Sequence, residues 1–498
     1  MNNQFSRKNP FKVSKVYSLV FIFVSVNQII IPFRPARQNA QWSPPETIPL
    51  YQLGTLPPIL VADQNRTVHA FSSQLIDAGG GKSLRVIFYN QWSLERGWTI
   101  PVDIIISPNK EARITDVHLD KDGIFHVVFF GGDQTGADIY YSQAPAAMAD
   151  NSLAWSTPII IGENAGDPEN AAIVEDDQGT LTVVYSGTEL GNGLYVVNST
   201  DGGENWSDST PIFLARGDAP NISLLHVIKG ESGWLHAVWG VFDVGGQGRG
   251  IYYARSRDGI KWSEPFLLAD AQDGLGTQTP TIIEYKKTLY ALYNMTPKIT
   301  MRRSSDDGVT WDDPSIIFPR HVGVNGSLSL VIDGNNQLHL FFGQRISGNP
   351  DIHGMWHSIL LNNRWTEPDA LIKGPRMVDK IGPTGFDPYD ARAVVSQGNV
   401  LLVTWRTDPG DIKDNGIWFS YAVINAPETP ISTLKSYESI GETPSSTLTS
   451  PVPTLFVEST LPPNMEQEPQ NRGNFVWIVL SVILGFLVVV FILFNRSR

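Results

Sequence analysis

Apolar and polar residues along this chain alternate in short runs that stop at turns, the period-two signature of half-buried strands rather than helices. The pattern is plainest where Leu224 to Ile228 is followed by Trp234 to Trp239 (WLHAVW), then Ile251 to Ala254 (IYYA), with Trp262 opening a fourth strand. The same order recurs around seven tryptophans, each followed by proline and aliphatic residues: Trp42, Trp98, Trp155, Trp206, Trp262, Trp311 and Trp365, spaced 49 to 57 residues apart. A four-stranded unit of that length cannot bury both faces alone and must stack on copies of itself. The expected fold is therefore all-β, a β-propeller of seven four-stranded blades, with six as the alternative if residues 50 to 98 pack irregularly.

The ends of the repeat carry information of their own. The chain enters on a fourth strand at Trp42 and leaves on three strands between Asp390 and Val423, so the two fragments should complete one blade and remove an open sheet edge. With 14 Trp, 15 Tyr, 23 Phe and 44 Gly against 17% charged residues, the composition agrees with many short strands and tight turns.

Two apolar segments flank the repeat. Arg7, Lys8, Lys12 and Lys15 precede a mostly apolar run from Val16 to Ile31, read as an export signal or an uncleaved signal anchor over residues 1–40. Phe475 to Phe494 is a 20-residue uncharged stretch, long enough to cross a bilayer as a helix, and Arg496 and Arg498 place the tail on the cytoplasmic side. Residues 41–425 form the propeller, 426–473 a Pro-, Ser- and Thr-rich stalk, 474–494 the transmembrane segment and 495–498 the tail. The expected location is the cell surface, with the propeller outside. A net charge of −13 argues against a nucleic-acid partner, and the absence of cysteine excludes disulfides, thiolate metal sites and a cysteine nucleophile. No metal or cofactor is expected.

Three turns before the tryptophans share a motif: Ser199-x-Asp201-x-Gly203-x-x-Trp206, Ser304-x-Asp306-x-Gly308-x-Thr310-Trp311, and the shorter Ser256-x-Asp258-Gly259-x-x-Trp262. These resemble the Asp-box, or BNR repeat, of the sialidase superfamily, and the blade pattern carries that resemblance over about residues 42 to 425. Ser and Asp can bond the turn backbone, Gly supplies positive φ and Trp packs between sheets, so the motif reads as a structural clip. His69, His126, His236 and His339 share one position on the second strands and read as repeat architecture in the same way.

Functional residues are expected at the end of the propeller carrying the second-to-third strand loops and the links between blades: 72–83, 131–138, 187–193, 241–250, 343–353, 373–389 and 407–415. At the start of the innermost strands one position holds Arg113, Glu169 and Tyr389, and three residues later another holds Asp116, His226 and Arg392. Innermost strands surround the axis, so these side chains can converge. Asp133, Glu189 and Asp243 share a position after the second strand, where carboxylates suit a cation or sugar hydroxyls, and Arg345 and Arg406 suit an acidic ligand.

Three functions fit. A stalked surface propeller that binds a glycan or another extracellular ligand through its loop-rich face is the leading one. The resemblance implies instead an exo-sialidase, which needs three arginines on a carboxylate, a Tyr-Glu nucleophile pair and an Asp acid-base group; strand position alone, with no family motif, offers Arg113, Arg392 and Arg406, Tyr389 and Glu169, and Asp116 for those roles. The family's early Arg-Ile-Pro motif is missing from the first blade, however; Phe33-Arg34-Pro35 lies beside the export segment. A scaffold that binds another surface protein is the third. Asn65-Arg66-Thr67, Asn221-Ile222-Ser223 and Asn294-Met295-Thr296 match N-glycosylation acceptors.

Overall fold

The computed structural model describes residues 40–432 apart from 52–54, 81, 134–135, 163–169, 218, 272–275, 324, 347–348, 375–387 and 408–415. The segments 1–39 and 433–498, with the expected export signal, most of the stalk and the transmembrane segment, lie outside the described residues. Among the described residues no helix is long and apolar enough to cross a membrane.

Among the described residues seven antiparallel sheets follow one another along the chain, six with their strands in sequence order from the inside out and the seventh completed from the other end of the chain. Blade 1 runs Ile59–Ala62, Val68–Asp77, Ser83–Ser93 and Val102–Ile105; blade 2 runs Glu111–Leu119, Ile124–Asp133, Gly136–Pro145 and Ile159–Gly162. Blade 3 holds Ala171–Glu175, Leu181–Gly187, Gly193–Ser199 and Thr210–Leu214, and blade 4 holds Asn221–Lys229, Leu235–Phe242, Gly248–Ser256 and Phe266–Asp270. Blade 5 comprises Thr277–Tyr285, Thr288–Met295, Lys298–Ser304 and Ser315–Ile316; blade 6 comprises Ser329–Ile332, Leu338–Gln344, Gly354–Leu361 and Asp369–Lys373. In blade 7, Pro388–Ser396, Val400–Thr407 and Ile417–Val423 take their outer strand from the other end of the chain, with Glu46 opposite Phe419 and Thr47 opposite Trp418. The count among the described residues is seven, and the four strands between Ile59 and Ile105 make a regular first blade, which removes the six-bladed alternative.

The tryptophans do not open the outer strands as expected. Trp98 and Trp365 pair briefly with the end of the third strand, Trp262 bridges Ser256, and in each case the outer strand starts only after the following proline. Proline has no N–H for the ladder, so pairing resumes beyond it. The indoles reach back to the preceding blade. Trp206 meets Tyr141 edge-on at 5.0 Å, Trp311 meets Tyr253 at 5.0 Å, Trp155 meets Phe71, Trp98 meets Phe419 and Trp42 meets Phe341. Alternation on the second strands does the rest: Phe125, Val127 and Phe129 pack toward blade 1, while Val128 packs toward blade 3.

Ser199 Oγ and Asp201 Oδ1 accept the Gly203 and Asn205 amides at 2.9 Å, and Ser304 and Asp306 repeat this with Gly308 and Thr310. Gly203 (φ +91) and Gly308 (φ +81) lie where an added Cβ would overlap the hydroxyls of Tyr141 and Tyr253 in the preceding blade. Those tyrosines in turn meet His126 Nδ1 at 2.6 Å and His236 Nδ1 at 2.7 Å. His69 meets Tyr89 at 2.6 Å in the same way, and in blade 6 His339 meets His357 at 2.8 Å. The repeated histidines are thus buried links between strands.

Several expected loops are strand. The second and third strands of blade 1 pair continuously to Asp77 and Ser83, so most of 72–83 belongs to the sheet. Ser72, Ser73 and Gln74 are polar, as a loop would be, yet they are buried and paired in the ladder.

Candidate functional site: the axial cavity

The innermost strands enclose a cavity of about 630 Å³ on the propeller axis, with a contribution from all seven blades. Its middle ring is defined by register. Opposite the residue two beyond the repeated histidine position stand Ile59, Asp116, Ala172, His226, Thr281, Ser329 and Arg392, one per blade. All seven line the cavity, so Asp116, His226 and Arg392 are brought together as the sequence alignment expects.

The ring has a structural duty that the sequence did not disclose. Asp116 Oδ2 accepts the Ile173 amide of blade 3 at 3.0 Å, His226 Nδ1 accepts the Ile282 amide of blade 5 at 3.1 Å, and Ser329 Oγ accepts the Ala393 amide of blade 7 at 2.9 Å. Each acceptor ties its blade to the next. Asp116 Oδ1 also takes the Val117 amide at 2.9 Å, so both carboxylate oxygens are engaged. Burial nevertheless pushes its carboxyl up to about 6, against those two amides and the Arg392 charge, which pull it down. Burial, helped by Arg392, lowers His226 to about 4. The imidazole is therefore neutral at pH 7, and because Nδ1 accepts, the proton sits on Nε2.

Arg392 departs from this pattern for a chemical reason. A guanidinium has donors only and cannot accept the amide of the next blade. Its side chain is exposed to the cavity, and among the described residues no hydrogen bond or ion pair holds its guanidinium. Lower on the axis His118 Nε2 lies 2.9 Å from Glu175 Oε2, and Lys229 lies 2.8 Å from Asp177.

The other expected site residues lie elsewhere. Arg113 is bonded to Glu111 at 3.1 Å, Arg406 Nε to Asp390 at 2.7 Å, and Arg345 is half-buried at the end of its strand; none of the three lines the cavity. The three-arginine arrangement around one ligand is not formed. Asp133 pairs at 2.5 Å with Lys110, just before the first strand of its blade, while Glu189 accepts the Tyr185 hydroxyl at 2.5 Å and Asp243 holds both the Gln247 amide and Arg249 within their own hairpins. Tyr389 pairs with Arg406, the position Arg113 takes opposite Phe130. Glu169 lies outside the described residues. Blade 3 lacks the bulge found in blades 2, 4, 5 and 7, so Asn170 rather than Glu169 takes that position, with its carbonyl on the Ser186 amide and its side chain on the Leu224 amide of blade 4 at 2.5 Å. Asn294, one of the N-glycosylation matches, is 2% exposed with its amide bonded inside the fold.

No protein-family model and no curated protein sequence matches this chain. Among solved structures, the fold is similar to an ulvan lyase, a polysaccharide lyase solved bound to -[GlcA(1-4)Rha3S]-, at TM-score 0.50 and 12% identity, covering 77% of this chain and 97% of that one. It is also similar to a protein of unknown function from Dyadobacter fermentans (TM-score 0.46, 17% identity, 76% and 98% covered) and to the intramolecular trans-sialidase of Ruminococcus gnavus in complex with oseltamivir carboxylate (TM-score 0.42, 12% identity, 76% and 96% covered). At 12% identity the likeness to the ulvan lyase is one of fold.

Proposed function

We propose that this propeller binds an acidic carbohydrate in its axial cavity, with Arg392 receiving the anionic group, and that the Phe475–Phe494 segment holds it at a cell surface. The observation that carries the binding reading is Arg392: an exposed guanidinium with no protein partner among the described residues, in a cavity of about 630 Å³ shared by seven blades. A guanidinium matches carboxylate and sulfate geometry with paired donors. Neutral His226 adds a donor at Nε2, Thr281 and Ser329 add hydroxyls, and the volume suits a small saccharide. The ulvan lyase bound to a saccharide containing glucuronate and sulfated rhamnose shares this fold, which makes such a saccharide the natural probe.

The test is calorimetry on the full chain with that oligosaccharide and with a desulfated, carboxyl-reduced analogue. Binding of the acidic form only, weakened on the order of tenfold to a hundredfold by Arg392→Met, supports the reading. Equal binding of both forms, or an unaffected variant, contradicts it.

A hydrolase reading retains one favourable observation: Asp116, raised to about 6, titrates where a general acid works. Turnover of a fluorogenic sialoside, abolished by Asp116→Ala, would establish it.

A further inference from the structure

We infer that Asp116 is a specificity-determining residue that sets the charge of the axial anion site, so that acidic ligands bind more tightly under mildly acidic conditions. The inference rests on the cavity being the ligand site. Its basis is the ring itself, in which two seams show the same bond made by different chemistry.

At the blade 6–7 seam a serine hydroxyl, Ser329, accepts the neighbouring amide; at the blade 2–3 seam a carboxylate, Asp116, accepts the equivalent one. The amide of Ile173 follows Ala172 in the ring, and the amide of Ala393 follows Arg392, so the two bonds are equivalent by register. A neutral acceptor therefore suffices for the architecture. What the carboxylate adds is a negative charge lining the same cavity as Arg392, and the two act on each other electrostatically. An anion approaching Arg392 is repelled by an ionised Asp116 and not by a protonated one. Since both oxygens already accept backbone amides, protonation changes the charge with little cause to move the side chain.

The groups that face Asp116 in the cavity are Arg392 from blade 7, His226 and Lys229 from blade 4, Glu175 from blade 3 and His118 on its own strand. Arg392 keeps its charge throughout. His226, near 4, stays neutral from pH 5 to 7.5, and Lys229 is bonded to Asp177. His118, lowered by burial against the opposing pull of Glu175, is the other group whose protonation would favour an anion. Asp116, titrating near 6, loses its negative charge as pH falls through that value, so affinity rises on acidification. By reciprocity, a bound anion raises the Asp116 midpoint by the same factor.

The experiment is calorimetry on the full chain between pH 5 and 7.5, with the sulfated glucuronate–rhamnose oligosaccharide as probe; its sulfate and carboxylate keep their charge over this range. Wild-type affinity is expected to fall on the order of tenfold from pH 5 to 7.5. In Asp116→Ser, which copies the Ser329 bond, affinity should be flat with pH and at least as high as the wild type at pH 5. Asp116→Asn serves as the second variant, with thermal unfolding to verify that each is folded. A pH slope that persists in both variants assigns the effect to His118 and overturns the inference. A flat wild type overturns it while leaving the cavity reading intact. Absence of probe binding at every pH sinks the cavity reading, and the tuning role with it.

Discussion

The hydroxyl of Tyr141 lies 2.6 Å from His126 Nδ1, and the same tyrosine occupies the space that a side chain on Gly203 of the next blade would need. Asp120 faces His126 Nε2 at 3.2 Å, so the ring donates there and its Nδ1 accepts from the tyrosine. One contact thus joins a turn, two strands and the neighbouring blade. Gly203→Ala should cost about 2 kcal/mol or more, from overlap with Tyr141 and a strained φ. Tyr141→Phe should cost about 1–2 kcal/mol by leaving a buried imidazole nitrogen without its donor. Denaturant unfolding of both variants checks the order; equal stability of Gly203→Ala and wild type would contradict the packing described.

Asp201 and Asp306 are held near 2 by the hydrogen bonds of their turns, led by the Asn205 amide and the Thr310 hydroxyl respectively. A carboxyl depressed in the folded state adds stability that is complete above its unfolded value of about 3.9 and disappears as pH falls through the folded value. The acid limb of the stability curve should therefore run between about pH 4 and 2, and Asp306→Asn should flatten it while lowering stability at pH 7. The measurement is thermal unfolding at stepped pH; an unchanged acid limb would count against the turn's role.

The chain leaving blade 7 is pinned across the turns of three blades. Thr429 donates to Gln397, Asn335 Nδ2 to Asn425, and Ser432 to Gln64, while Arg66 pairs with Glu428 at 2.7 Å. That ion pair is solvent-exposed, so Glu428→Ala should cost about 0.5 kcal/mol. Gly398→Ala should cost several times more, because its Cβ would meet the Pro427 carbonyl at a φ of +77°. Limited proteolysis around residues 425–432 gives the readout, with faster cleavage expected for Gly398→Ala only.

Arg113 and Arg406 are bonded to Glu111 and Asp390, so Arg113→Ala and Arg406→Ala should leave acidic-saccharide affinity within about twofold, the level of a distant charge change. Arg392→Met should not. A triad acting together would show losses at all three.

Much of this architecture is legible in the chain because repetition makes register visible: Trp-to-Trp spacing sets the blades, and the shared histidine position aligns Asp116, His226 and Arg392. What escaped has local causes. Arg113 and Arg406 looked available because alternation along a strand does not show side-chain pairing: Glu111 is two residues from Arg113, and Asp390, in the bulge between Tyr389 and Arg392, faces Arg406 only across the ladder. Asn170 was missed because blade 3 lacks the bulge that shifts its counterparts by one residue. The linking role of Asp116 and His226 concerns backbone amides of the next blade, and amides leave no trace in side-chain patterns.

The most direct measurement is a crystal structure of the chain with the sulfated glucuronate–rhamnose oligosaccharide. The account predicts an anionic oxygen within about 3 Å of the Arg392 guanidinium, inside the axial cavity. A saccharide seated on the blade loops, with Arg392 still facing solvent, would contradict it.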